Sequence, residues 1–204
     1  MESTLGIERT PRHEHPRPAV DVEPLIESLR AAVRLHDTAA IAARIKGDLE
    51  SFIPAEGLRL PDRFRRTHAG SYCRRLLYRD PELGFTALVM TWGPGQRTAV
   101  HDHAGIWCVE GVVEGELEVT RYHLLEETAG GLCRFEEKGS VRARAGSAGA
   151  LIPPFEHHVL ANVDPDHIAL TLHVYGGEMD HCSTFVPEPD GRYRRQPKQL
   201  SYDD

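Results

Sequence analysis

The chain has 204 residues, a formal net charge of −7, 40% hydrophobic residues and 27% charged residues. This length and balance are typical of a globular protein with one hydrophobic core. The acidic balance argues against a nucleic-acid partner, because phosphate binding needs an excess of basic side chains. The sequence has no apolar run of about 18 residues or more, which a membrane span would need.

Cysteine usage and the N-terminal residues indicate a compartment. The four cysteines, Cys73, Cys108, Cys133 and Cys182, have no paired spacing, and the N-terminus lacks the basic-then-apolar pattern of an export signal. We therefore expect reduced thiols in a cytoplasmic protein.

The first segment with a regular pattern is helical. Residues 1–20 are rich in proline and charge and predict a flexible tail. Between residues 22 and 50, apolar residues recur at helical spacing in two runs. The runs are separated near Asp37 and Thr38, either of which is suited to cap the second helix. The sequence predicts two short helices as an annex to one domain over residues 21–204.

After about residue 71, short β-branched and aromatic segments alternate with Gly, Pro and Asp. Many short strands at this spacing predict an antiparallel sandwich or barrel over about residues 71–186. The candidate strands are 71–78, 84–92, 97–102, 107–113, 116–123, 132–137, 141–145, 149–152, 157–162, 167–175 and 182–186.

Histidines in this β region suggest a metal site. One residue separates His101 from His103, so on a strand their side chains share a face. A third histidine from another strand, His157 or His158, would complete a three-nitrogen site with open positions for substrate. Imidazole binds iron, zinc, copper and nickel, so the residue type alone leaves the metal open.

The spacing around the first pair resembles the first motif of the cupin superfamily. Gly95 precedes His101 with five intervening residues, His103 follows, and Gly115 closes the motif. Cys108 stands where that motif carries a glutamate. The resemblance therefore implies a site with three histidines and no acidic ligand.

A second cupin motif surrounds the later pair. Pro153, His158 and Asn162 have its spacing, with Phe155 in place of a glycine, and this favours His158 over His157 as the third ligand. The resemblance implies a mainly β fold, the cupin double-stranded β-helix or jelly-roll barrel, preceded by the two short helices.

Three further features resemble the cysteine dioxygenase family of thiol dioxygenases. The first is the segment of Tyr72 and Arg74, which share a strand face. In that family the arginine holds the substrate carboxylate, for which its planar fork is suited. The second is Thr171, His173 and Tyr175 at period 2, which resembles the family's hydrogen-bonded Ser-His-Tyr triad.

The third feature is the pair of Cys108 and Tyr175, positions that form a thioether crosslink beside the iron in part of the family. The crosslink is a hypothesis here, since a free buried thiol is equally ordinary. The side chain of Cys108 can point to the same side as that of His103 only if a turn or bulge lies near Gly105.

The resemblance implies an Fe(II)-dependent thiol dioxygenase that oxidises L-cysteine with O2 to cysteine sulfinic acid, in sulfur amino acid metabolism. Residues 92–96 and 173–177 resemble the mercaptopropionate branch, so 3-mercaptopropionate or mercaptosuccinate is an alternative substrate.

A non-enzymatic ligand-sensing cupin and a zinc or nickel isomerase are alternatives from other classes. The expected partners are a small thiol and O2, with no membrane or nucleic acid, and we expect a monomer.

Overall fold

The computed structural model describes residues 22–54, 58 and 60–204. The tail predicted over residues 1–20 lies outside these residues. Helix α1 spans Glu23–Val33 and helix α2 spans Thr38–Phe52. The Asp37 side chain accepts a hydrogen bond from the backbone N–H of Ala40 at 2.8 Å, so Asp37 caps α2. No helix in the described part of the chain is long and apolar enough to cross a membrane.

A short 3-10 helix, Asp62–Arg65, which the sequence analysis did not predict, leads into eleven strands. The strands are β1 (Cys73–Asp80), β2 (Phe85–Trp92), β3 (Val100–His101), β4 (Cys108–Glu114), β5 (Glu116–Glu127), β6 (Leu132–Arg144), β7 (Ala148–Leu151), β8 (His158–Ala161), β9 (Ala169–Tyr175), β10 (His181–Pro187) and β11 (Tyr193–Gln199).

Apart from shifts in strand bounds, the set of strands differs from the prediction in two places. The segments 132–137 and 141–145 are one strand, β6, because Gly139, at φ +91°, lies in a bulge of the β5–β6 ladder and not in a turn. Strand β11 was not predicted, because Tyr193–Gln199 is polar and contains a proline. The segment is a strand because its backbone pairs with β10 and β6, although its side chains show no strand pattern.

All strand pairs are antiparallel. One sheet has the order β1-β2-β9-β4-β7, and the remaining strands close on one another in the order β10-β11-β6-β5-β8-β3. The fold is mainly β, a cupin-type double-stranded β-helix with two short helices, so the predicted fold class is confirmed.

The five-stranded sheet is covered on both sides. Its outer face packs against α1 and α2 through a large apolar cluster, which includes Leu29, Leu49, Val109 and Leu172. Its inner face lines the barrel, so every residue of β9 is buried. Because strand side chains alternate, β9 presents one set of residues to the helices and the other set to the barrel interior.

Candidate metal centre

The three predicted ligands meet inside the barrel. His101 ends β3 and pairs directly with His158, the first residue of β8, while His103 follows β3. One ligand nitrogen from each ring lies within 4.8 Å of the other two. The ring centroids are 4.5 to 5.3 Å apart. His157 instead packs against the rings of Phe135 and Phe185, outside this cluster.

Unpaired nitrogens in this cluster fit a metal ion. Nδ1 of His103 and both ring nitrogens of His158 are buried without a hydrogen-bond partner among the described residues. Burying such atoms unpaired is costly, and a cation that accepts their lone pairs removes the cost. Nδ1 of His101 contacts the carbonyl of Ala99 at 3.1 Å, which suits an Nδ1–H donor and leaves Nε2 free. Burial lowers the pKa of His101 to about 4, so its imidazole is neutral, as metal binding requires.

A buried glutamate that the sequence analysis missed, Glu156, supports this cluster. Its carboxyl accepts a hydrogen bond from the backbone N–H of His103 at 3.2 Å and lies 3.7 Å from Nδ1 of that ring. Burial raises the pKa of Glu156 to about 7. No local sequence signal marks Glu156, because its role depends on a contact with His103, which is 53 residues away in the chain.

A second missed carboxyl belongs to Glu110, a buried residue of β4. Its Oε2 is 3.5 Å from Nδ1 of His173 and 4.0 Å from Nε2 of His158, and burial raises its pKa to about 8. It falls in a separate set of potential ligand atoms with Cys108 and His173, not in the three-histidine set. Burial also raises the pKa of the Cys108 thiol. The neutral imidazoles are therefore the better ligand set.

The predicted relay on β9 is present as a chain of contacts. The Trp92 indole N–H donates to Thr171 Oγ1 at 2.9 Å, and Thr171 Oγ1 is 2.7 Å from His173 Nε2. The Tyr175 hydroxyl is 3.4 Å from His173 Nδ1. Burial lowers the pKa of His173 to about 3 and raises that of Tyr175, so both groups are neutral. These inward polar groups therefore satisfy one another without charge.

Cys108 and Tyr175 are direct neighbours across the β4–β9 ladder. Cys108 is a free, fully buried thiol. The turn predicted near Gly105 is present: Ala104 and Gly105 have φ values of 53° and 80°. After this left-handed turn, Cys108 begins β4, and its sulfur lies within 4.8 Å of ligand atoms of Glu110 and His173.

Tyr72 and Arg74 line a small cavity of about 30 Å³ together with His101 and Tyr175. Tyr72 stacks on Trp92 with 4.5 Å between the ring centroids. The Arg74 guanidinium is buried and donates to the carbonyls of Ser201 at 3.0 Å and Met179 at 2.8 Å. The structure thus brings the predicted substrate-binding residues to the edge of the histidine cluster.

Arg75, the neighbour of Arg74, is also buried but points to the other face of β1. It donates to the carbonyl of Asp204 at 2.9 Å and to Thr91 Oγ1 at 3.4 Å. Both arginines are therefore buried, and both donate hydrogen bonds to residues at the end of the chain. Only Arg74 lines the cavity.

Comparison with known proteins identifies the family of this chain. The family model described as cysteine dioxygenase type I matches residues 62–187. The chain belongs to this family. All nine residues predicted to form the site lie inside the matched range.

Relatives in this family are distant in sequence. The chain is 23% identical to cysteine dioxygenase type 1 of Rattus norvegicus over 101 residues, which are 50% of this chain and 49% of the relative. It is 22% identical to the protein of the same name from Homo sapiens over the same length. The chain spans about half the length of the curated relatives that it matches.

Solved structures with similar folds include two bacterial proteins. A double-stranded β-helix protein from Klebsiella pneumoniae is 19% identical, with a TM-score of 0.46, and the match covers 60% of this chain and 91% of that chain. TT1209 from Thermus thermophilus is 20% identical, with a TM-score of 0.44, and the match covers 58% and 94%.

Proposed function

We propose that this protein is an Fe(II)-dependent thiol dioxygenase that converts L-cysteine and O2 to cysteine sulfinic acid. The observation that carries the proposal is the cluster of three neutral imidazoles, with no carboxylate in the set, next to a buried phenol and a buried guanidinium. Membership of the cysteine dioxygenase type I family supports it.

His101, His103 and His158 would hold the metal. A bound Fe(II) would supply the redox chemistry by which both oxygen atoms of O2 are added to the substrate sulfur. Three neutral ligands leave the dipositive charge of the ion uncompensated, so an anionic thiolate is an attractive partner. Ala99 and Glu156 keep the His101 and His103 segments in place through the contacts described above.

Arg74 and Tyr72 would bind the substrate carboxylate. A guanidinium has five N–H donors, and the carbonyls of Ser201 and Met179 engage two of its nitrogens. The remaining donors can meet a carboxylate, and an anion in this enclosed site would bind the permanent charge strongly. The Tyr72 hydroxyl would add a donor from the same face of the cavity.

Tyr175 would donate a hydrogen bond to the substrate or oxygen. Thr171 accepts the Trp92 N–H and can therefore donate its own proton to His173 Nε2. In that arrangement His173 carries its proton on Nδ1, which faces the Tyr175 oxygen. The phenol proton is then free to point toward the cavity.

The Cys108–Tyr175 pair would form a thioether beside the metal. The crosslink replaces the thiol S–H bond and one ring C–H bond by a C–S bond, and O2 would take up the two electrons and two protons. The cross-strand pairing of the two residues supports this step.

A thiol acid without an amine is the second candidate substrate. Residues 92–96 and 173–177 resemble the mercaptopropionate branch of the family, which favours 3-mercaptopropionate or mercaptosuccinate. Oxygen uptake by the ferrous protein with each of the three thiols, together with product analysis, decides between them. Fastest uptake with L-cysteine, with cysteine sulfinate as product, is the expected result. No uptake with any of the thiols would refute the proposal.

The carboxylate role of Arg74 has a matched control. Arg74→Ala should raise the KM for the substrate by about 10-fold to 100-fold, because a charged hydrogen-bond pair is lost. Arg75→Ala removes an equally buried arginine that also bonds the last residues but does not line the cavity. It should leave KM within about twofold. Equal effects of the two changes would assign Arg74 a structural role only.

A further inference from the structure

A second and larger cavity lies inside the barrel, with a volume of about 410 Å³. None of the three clustered histidines lines it. Its walls are apolar, and its buried end carries Glu110 and Thr171. Its outer end carries Arg121 and Arg142, which are exposed. The wall residues include Val112, Leu117, Val119, Leu151 and Leu160.

A glycine opposite Glu110 creates part of this space. Glu110 of β4 pairs with Gly149 of β7, and directly paired residues face the same side of a sheet. A Cβ atom built on Gly149 meets no atom within 4 Å. The position beside the Glu110 carboxyl is therefore open.

The buried Oε2 of the Glu110 carboxyl makes no hydrogen bond to any of the described residues. The rings of His173 and His158 lie 3.5 and 4.0 Å from this oxygen, and neither makes a hydrogen bond to it. A buried carboxyl next to open space can be stabilised by a ligand that brings a positive charge and N–H donors.

The outer end has the opposite character. Arg142 is paired with Glu116 at 2.8 Å, whereas Arg121 has no ion-pair partner in the described residues. A free guanidinium at a cavity mouth is suited to a carboxylate. The cavity thus has an unpaired acid inside, apolar walls, and an unpaired cation outside.

We propose that this cavity binds a small aliphatic ω-amino acid, with its ammonium group at Glu110, its alkyl chain along the apolar walls and its carboxylate at Arg121. The site is separate from the cavity of Tyr72 and Arg74. It does not depend on the proposed oxygenase function.

Binding is tested by calorimetric titration of the full chain, with Fe(II) under anaerobic conditions and without metal. The probes are 6-aminohexanoate, hexylamine and hexanoate. The expected order of affinity is 6-aminohexanoate, then hexylamine, then hexanoate, with the same order in both metal states. An absence of binding by all three probes would overturn the proposal. So would hexanoate binding as tightly as hexylamine, or binding that occurs only with Fe(II).

Three variants locate the site. Glu110→Gln keeps the shape and should lower hexylamine affinity by about tenfold or more, since a charged hydrogen bond is lost. Gly149→Leu should fill the space and abolish binding of every probe. Arg121→Ala should remove the preference for 6-aminohexanoate over hexylamine.

A control for the last variant is Arg134→Ala, which removes the same charge from an exposed position elsewhere on the chain and should keep that preference. Unchanged hexylamine binding by a folded Glu110→Gln protein would contradict the proposal even if Gly149→Leu failed to fold.

Discussion

Strands β4 and β9 each have one face toward the helices and one face toward the barrel interior, and the side chains on the two faces differ in chemistry. Toward the helices, the ladder pairs Val109 with Val174 and Gly111 with Leu172, and these residues belong to or contact the apolar cluster. Toward the barrel interior, the ladder pairs Cys108 with Tyr175, Glu110 with His173 and Val112 with Thr171.

The contrast shows how a fully buried strand can carry a site. The outer face removes apolar surface from water, which stabilises the fold. The inner face places polar groups where each must find a partner, and most do so within the Trp92–Thr171–His173–Tyr175 chain. Among the described residues, Glu110 Oε2 and, in the histidine cluster, His103 Nδ1 and both ring nitrogens of His158 lack hydrogen-bond partners, and these are the positions where we expect ligands.

The largest effect should come from a metal ligand on the inner side. His158→Ala should abolish stoichiometric Fe(II) binding, with a loss of affinity greater than the roughly 100-fold typical for losing a ligand's hydrogen-bond partner. His157→Ala is the matched control, because His157 is adjacent and buried but packs between two phenylalanine rings. Metal analysis after dialysis measures both. Iron retained by His158→Ala would contradict the assignment.

A pair of glycines on the two faces should give an intermediate effect. A Cβ at Gly111 would meet Ile53 Cδ1 at 2.8 Å and Leu49 Cδ1 at 3.3 Å, whereas one at Gly149 meets nothing within 4 Å. Gly111→Ala should therefore lower the free energy of unfolding by about 1–3 kcal/mol, and Gly149→Ala should leave it unchanged or raise it. Urea unfolding of both variants checks this. An equal loss of unfolding free energy in the two variants would mean that the space next to Gly149 is filled in solution.

A third effect concerns the pH dependence of stability in the metal-free protein. Burial raises the folded pKa of Glu110 from 4.5 to about 8, so its contribution to stability is full below about pH 4.5 and is lost as pH rises toward 8. Glu110→Gln removes this loss. The variant should gain stability relative to the wild type as pH rises from about 5 to 8, as measured by urea unfolding. A difference between the two proteins that stays constant over that range would contradict the buried, unpaired state of Glu110.

The sequence predicted the histidine cluster because strand periodicity and motif spacing are local properties. His101 and His103 share a face by their separation alone, and Cys108 follows from the turn at Gly105. Glu110 and Glu156 were missed because their importance depends on cross-strand neighbours, which the order of residues does not reveal. Strand β11 was missed for a related reason: its partners on β10 and β6 define it, not its own polar side chains.

The roles of Arg74, Tyr72 and the relay residues remain predictions, although the structure brings them together. Their prediction depended on resemblance to a family. Alternation alone would equally allow Thr171, His173 and Tyr175 to face water, and only packing on both sides of β9 makes them interior residues.

The most direct test of the account is the origin of the oxygen atoms in the product. The ferrous protein is incubated with L-cysteine under isotopically labelled O2, and the sulfinate is analysed by mass spectrometry. The account predicts cysteine sulfinate in which both added oxygens carry the label. Absence of sulfinate, or sulfinate that takes its oxygen from water, would contradict the assignment of this three-histidine centre to thiol dioxygenation.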